Sequence, residues 1–106
     1  MSENDKMQSQ NPPEITYRLG DEAALNAIRV GMSGVIVRVE GEGRVKRRLF
    51  DMGLTPGAEV FRRKKAPLGD PLEITLRGYE LTLRKDEASH VILKITDLSA
   101  TDEEIS

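Results

Sequence analysis

Arg48-Leu49-Phe50-Asp51-Met52-Gly53-Leu54-Thr55-Pro56-Gly57 writes a helix end, a reversal and the approach to a strand within ten consecutive residues. Upstream of it, Val45, Leu49 and Met52 recur at helical spacing, so a short basic helix from about Arg44 presents one apolar stripe inward. Gly53 stops that helix as its left-handed C′ residue. Leu54 then falls at C″ and folds back onto Leu49 at C3, the hydrophobic contact of a Schellman end. Pro56 pre-sets φ for the second corner of the next turn and Gly57 accepts positive φ at the third, so Thr55 to Ala58 reads as a type II turn. A strand is expected from Glu59.

Working outward, Val35, Val37 and Val39 alternate with Ile36, Arg38 and Glu40, a half-buried strand opened by Gly34 and closed by Gly41 and Gly43. Before it, Leu25 and Ile28 follow the acidic pair Asp21 and Glu22, which suggests a helical turn leading into Gly31 with its apolar side tucked under the sheet. Val60 and its neighbours form a second strand that runs into Arg62-Arg63-Lys64-Lys65, and Pro67 with Gly69 reverses the chain. Leu72, Ile74 and Leu76 face one way, with Glu73, Thr75 and Arg77 on the other. Gly78 separates that third strand from Leu81-Thr82-Leu83, a gap short enough to demand a two-residue hairpin loop. Asp86-Glu87-Ala88-Ser89 reads as a capped single turn before a closing strand at Val91-Ile92-Leu93. A mainly β fold follows, a small SH3-like barrel of about five strands with one or two short helices.

Composition narrows the class. The chain has 106 residues, 38% of them hydrophobic, enough for one modest core. Two Phe, two Tyr and no Trp leave burial to Val, Ile and Leu. The absence of cysteine removes disulfides and thiolate metal sites and agrees with a reducing compartment. No apolar run approaches the ~18 residues that a membrane span needs, and the polar opening lacks a signal-peptide core. The expected organisation is a flexible tail at 1–16, the domain at 17–97 and an acidic flexible tail at 98–106.

The ten-residue block, with Gly31, Gly34, the run Ala66-Pro67-Leu68-Gly69-Asp70-Pro71 and Ala88, resembles the FeoA family, small cytoplasmic accessory proteins of bacterial ferrous iron uptake. The resemblance spans roughly Leu25 to Lys94. Similar domains also end the metal-dependent repressors related to the diphtheria toxin repressor. The resemblance implies a non-enzymatic, monomeric module in the cytoplasm. It would work at the inner face of the membrane with the cytosolic domain of a ferrous iron transporter GTPase. No cofactor is required on this reading, although ferrous or another divalent ion is an admissible ligand.

The search for chemistry in the residues themselves is thin. His90 is the single histidine and has no Ser or acidic orienter adjacent in sequence, so no catalytic residue is assigned. Asp86, Glu87 and His90 form the best local group for a metal, but capping accounts for the two carboxylates more simply. Asp51 near a helix end is accounted for by pairing with Arg47 or Arg48. The glycines are spread through turns and make no phosphate cradle.

Charge is more informative. Arg44 to Lys65 holds eight basic residues against Asp51 and Glu59, in a chain whose net charge is −2. A solvated, aggregation-blocking face is one account of that excess; an acidic partner surface is the other, with Arg44, Arg47, Arg48, Arg62, Lys64 and Lys65 as its contacts. A metal-sensing module akin to the repressor domains is an alternative. The roughly two dozen mostly polar residues ahead of the barrel are not expected to supply a winged helix. A nucleic-acid-binding barrel is the other alternative, disfavoured by few aromatics and no recognition helix beside the basic patch.

Overall fold

The computed structural model of the chain describes residues 17–64 and 70–98, Lys64 by its backbone alone. It contains β1 (Glu22–Ala24), β2 (Ser33–Val39), α1 (Gly43–Asp51), β3 (Glu59–Lys64), β4 (Leu72–Leu76), β5 (Tyr79–Leu83), α2 (Lys85–Ala88) and β6 (Val91–Asp97). All pairings are antiparallel, in the order β1-β6-β2-β3-β4-β5. The SH3-like expectation holds with one strand more than expected among the described residues. β1 and β5 are the two edges of the curled sheet. The tail expected at 1–16, the tail expected at 98–106 apart from the exposed Leu98, and the reversal at Pro67 and Gly69 lie outside the described residues.

The end of α1 follows the turn chemistry of its sequence. Gly53 sits at φ +98°, the Leu54 amide donates to the Leu49 carbonyl at 3.0 Å, and the Gly53 amide donates to Phe50 at 2.9 Å. Those two bonds satisfy carbonyls that a helix end otherwise leaves open, and Leu49 and Leu54 are both wholly buried. The type II turn is equally clear: Gly57 has φ +94° and the Ala58 amide donates to the Thr55 carbonyl at 3.0 Å. At the β4–β5 hairpin, Arg77 at φ 50° and Gly78 at φ 90° form a two-residue loop of the type I′ pattern.

The core is aliphatic. Leu25, Ile36, Leu49, Leu54, Val60, Ile74, Leu83 and Leu93 are each at most 1% exposed, and a fully buried side chain of this size is worth about 1.5–3 kcal/mol. Leu72, Ile74 and Leu76 point into it as their alternation requires.

Two details depart from the expected pattern. The segment around Leu25 and Ile28 is a hydrogen-bonded turn rather than a helix, with the Ala27 amide donating to Ala24 at 2.9 Å, though both apolar side chains are buried as expected. In β2, Ile36 pairs with Leu93 and Arg38 with Ile92, so Val37 is an inserted bulge residue. The bulge turns the alternation over: Ile36 before it and Val39 after it are buried, whereas Val35 and Val37 are half-buried.

Candidate partner-binding surface

α1 lies with Leu49 inward and Val45 and Met52 half-buried, which leaves Arg44, Arg47, Arg48 and Phe50 exposed. Arg48 reaches the second helix, where its Nη2 sits 2.8 Å from Glu87 Oε2. Glu87 also accepts the Arg84 amide at 2.9 Å, so one carboxylate caps α2 and pairs with α1. Arg44 and Arg47 have no ion pair among the described residues. Asp51 pairs with neither Arg47 nor Arg48 among the described residues, and Arg48 is held by Glu87 instead. The exposed face of α1 therefore carries Arg44 and Arg47 free of ion pairs among the described residues, together with the exposed Asp51, and Phe50 stands 40% exposed on the same helix.

Arg62 is placed differently from the arginines of α1. It was expected on the partner-facing rim, yet it shares the inward face of β3 with Val60 and is half-buried. Its Nη1 donates a short hydrogen bond to the Ile28 carbonyl, while its backbone exchanges bonds with Met32 at 3.0 Å and Gly31 at 2.8 Å. Its Nε is buried with no partner among the described residues. Burial pushes the guanidinium below its ordinary value. Arg62 thus fastens the Leu25–Met32 turn over the barrel end. Arg62→Ala should lower stability by about 1–3 kcal/mol, because it frees a buried carbonyl and a packing stem; urea unfolding checks this, and partner affinity should be unaltered.

Arg63 is the extra residue of a bulge between Arg62 and Lys64, and the bulge turns its guanidinium outward onto Glu73 at 3.1 Å and Glu80 at 3.4 Å. The Lys64 side chain and Lys65 lie outside the described residues. Of the six expected contacts, then, Arg44, Arg47 and Arg48 share one helix face and Arg62 turns away.

The metal candidates do not converge. Glu87 is committed to Arg48 and the Arg84 amide, the His90 amide donates to the Glu87 carbonyl at 3.1 Å, and the Ser89 hydroxyl donates to the Asp86 carbonyl at 2.6 Å. The three residues line a cavity of about 150 Å³ with Val45, Arg48 and Leu49. Among the described residues no group of three or more His, Cys, Asp or Glu is placed to hold a metal ion. A larger groove of about 470 Å³ is lined by Arg48, Met52, Asp70, Pro71, Thr82, Arg84 and Glu87.

Comparison with known proteins shows the family. Residues 23–95 match the FeoA domain. The chain belongs to the FeoA family. A Fe(2+) transport protein A/Fe(2+) transporter FeoB fusion protein of Porphyromonas gingivalis is 32% identical over 77 residues. That stretch is 73% of this chain but only 9% of the fusion protein. An FeoA-like protein of Clostridium acetobutylicum has a similar structure at 32% identity and TM-score 0.68, covering 80% of this chain and 96% of its own. The FeoA of Stenotrophomonas maltophilia, an SH3 domain protein solved in complex with zinc, is 25% identical with TM-score 0.60, covering 72% and 98%. A manganese-dependent transcriptional repressor matches at TM-score 0.65 over 76% of this chain and 45% of its own. At 12% identity that likeness concerns the fold alone. Within this FeoA chain, no described helix is long and apolar enough to cross a membrane.

Sequence reasoning did not single out Phe50, which is exposed on α1. Its signal was present, since Phe50 falls off the Val45–Leu49–Met52 stripe that goes inward.

Proposed function

We propose that this FeoA chain is a non-enzymatic accessory of ferrous iron uptake that docks on the cytosolic part of the ferrous iron transporter through the exposed face of α1. The observation that carries the reading is the fusion relative, in which an FeoA region and the transporter share one polypeptide; a covalent tether is useful only where the two parts work together at high effective concentration. Charge supports α1 as the contact, because Arg44 and Arg47 are exposed and unpaired among the described residues beside the exposed Phe50. An exposed aromatic on a helix that also exposes unpaired arginines suits an acidic surface with an apolar notch.

Arg44→Glu with Arg47→Glu should weaken binding to the transporter's cytosolic domain by about tenfold at low salt, mostly through the association rate, with thermal stability unchanged. Biolayer interferometry at two salt concentrations reads both rates. Equal binding by parent and double variant would remove α1 from the interface.

A further inference from the structure

β5 differs from the other sheet edge in how little protects it. β1 at the opposite edge has three residues, and its Glu22 is tied to Arg38 at 2.8 Å. β5 has five residues, pairs with β4 without a register shift, and carries neither proline nor an inward charge. Sheet proteins normally shorten, charge or cover such an edge, because its open backbone groups recruit another strand.

The register identifies those groups. The two-residue loop at Arg77 and Gly78 makes Leu76 and Tyr79 a hydrogen-bonded pair, and Ile74 with Leu81 and Leu72 with Leu83 follow by alternation. Glu80 and Thr82 therefore direct their amides and carbonyls away from β4, and neither has another partner among the described residues. Both side chains are exposed, and the Tyr79 ring is 48% exposed beside them.

Charge says what would lie there. Arg77 and Arg84 bracket β5, and neither has a carboxylate partner among the described residues, whereas Arg38, Arg48 and Arg63 are each paired. Arg77 makes only a long 3.4 Å contact with the Thr55 hydroxyl. The one acidic side chain on the strand, Glu80, is answered by Arg63 at 3.4 Å. The edge as a whole is thus cationic at both ends.

A second copy of the chain fits poorly. Two antiparallel β5 strands exchange all four free backbone bonds only with Glu80 opposite Thr82, and that register brings the Arg77–Gly78 loop of one copy toward the basic Arg84–Lys85 end of the other's β5. Moving the pair so that Glu80 meets Glu80 opposes two carboxylates. Centring it on Thr82 wastes the ladder, because the Arg84 amide already belongs to Glu87.

We propose that β5 takes up an extended segment of the transporter's cytosolic part as an added strand, whose acidic side chains sit against Arg77 and Arg84. The inference rests on the docking reading above and specifies the form of one contact. Main-chain bonds to Glu80 and Thr82 would supply affinity, and the two arginines would set the register.

Amide exchange and a proline variant test it together. In the free protein the Glu80 and Thr82 amides should exchange fast, and in complex with the transporter's cytosolic domain at least about tenfold slower. Thr82→Pro removes an amide that no internal bond uses, so it should weaken binding by about tenfold or more, the equivalent of one or two ladder bonds, while Thr82→Val binds like the parent. If the complex forms with both amides still fast, or if a folded Thr82→Pro binds like the parent, strand addition is wrong and docking through α1 stands. If the parent forms no complex, the docking reading falls and this inference with it.

Discussion

Gly53→Val will cost about 3 kcal/mol or more and lower the melting temperature by roughly 15 °C. Two effects add at this position. A β-branched residue is strained at φ +98°, and a Cβ there would lie 2.7 Å from Tyr79 Oη and 3.2 Å from Leu76 Cδ2. The Tyr79 hydroxyl also donates to the Met52 carbonyl at 3.4 Å, so displacing the ring loosens the helix end from the β4–β5 hairpin. Gly57→Val is the control, since Gly57 has nearly the same φ, +94°, with nothing within 4 Å of its Cβ position. It should lose only about 1–3 kcal/mol, the backbone strain alone. Equal melting of the two variants would show that the Tyr79 and Leu76 contacts do not matter.

The second large loss is expected at Gly34, for a different reason. Its φ is not in the left-handed region, but an added Cβ would approach Leu93 Cβ and the Lys94 carbonyl oxygen, each at 2.9 Å. Both belong to the neighbouring strand, so relief requires β2 and β6 to separate, in the pairing that holds the middle of the sheet. Gly34→Ala should therefore cost about 2–3 kcal/mol, near the upper end of overpacking penalties. A urea midpoint within about 0.5 kcal/mol of the parent's equivalent stability would show that the strands part easily there.

Both glycines stood out in the sequence, and the reason one was interpretable in part and the other was not is physical. The helix stop at Gly53, the Leu49–Leu54 contact and the following turn involve residues within five positions of it and could be derived from spacing, whereas the Tyr79 and Leu76 contacts at the same glycine come from more than twenty positions away. The strand pairing that confines Gly34 joins residues about sixty positions apart. β4 was legible because its alternation is unbroken. β1 was not, because Glu22-Ala23-Ala24 carries no β-branched or aromatic residue, and only pairing with β6 makes it a strand. The Val37 bulge reversed a face that the valine alternation had assigned to the core.

The site was legible in the same uneven way. The basic stretch was visible as composition, and three of its arginines do share the outer face of α1. Arg62 carried a contrary signal in its parity with Val60, since residues two apart on a strand share a face. Its charge argued for solvent, and its reach to the Ile28 carbonyl, a contact 34 positions away, decided otherwise. The Arg48–Glu87 pair and the open groups of Glu80 and Thr82 depend on topology, which no local pattern states.

The most direct measurement is a titration of the isotope-labelled chain with the transporter's cytosolic domain, without added metal, followed by amide chemical shifts. Saturable shifts confined to the exposed face of α1 and to β5, with the Leu25–Met32 turn held by Arg62 undisturbed, are the predicted result. Unchanged spectra at high micromolar concentrations of that domain, or shifts that appear only when ferrous ion is added, would contradict it.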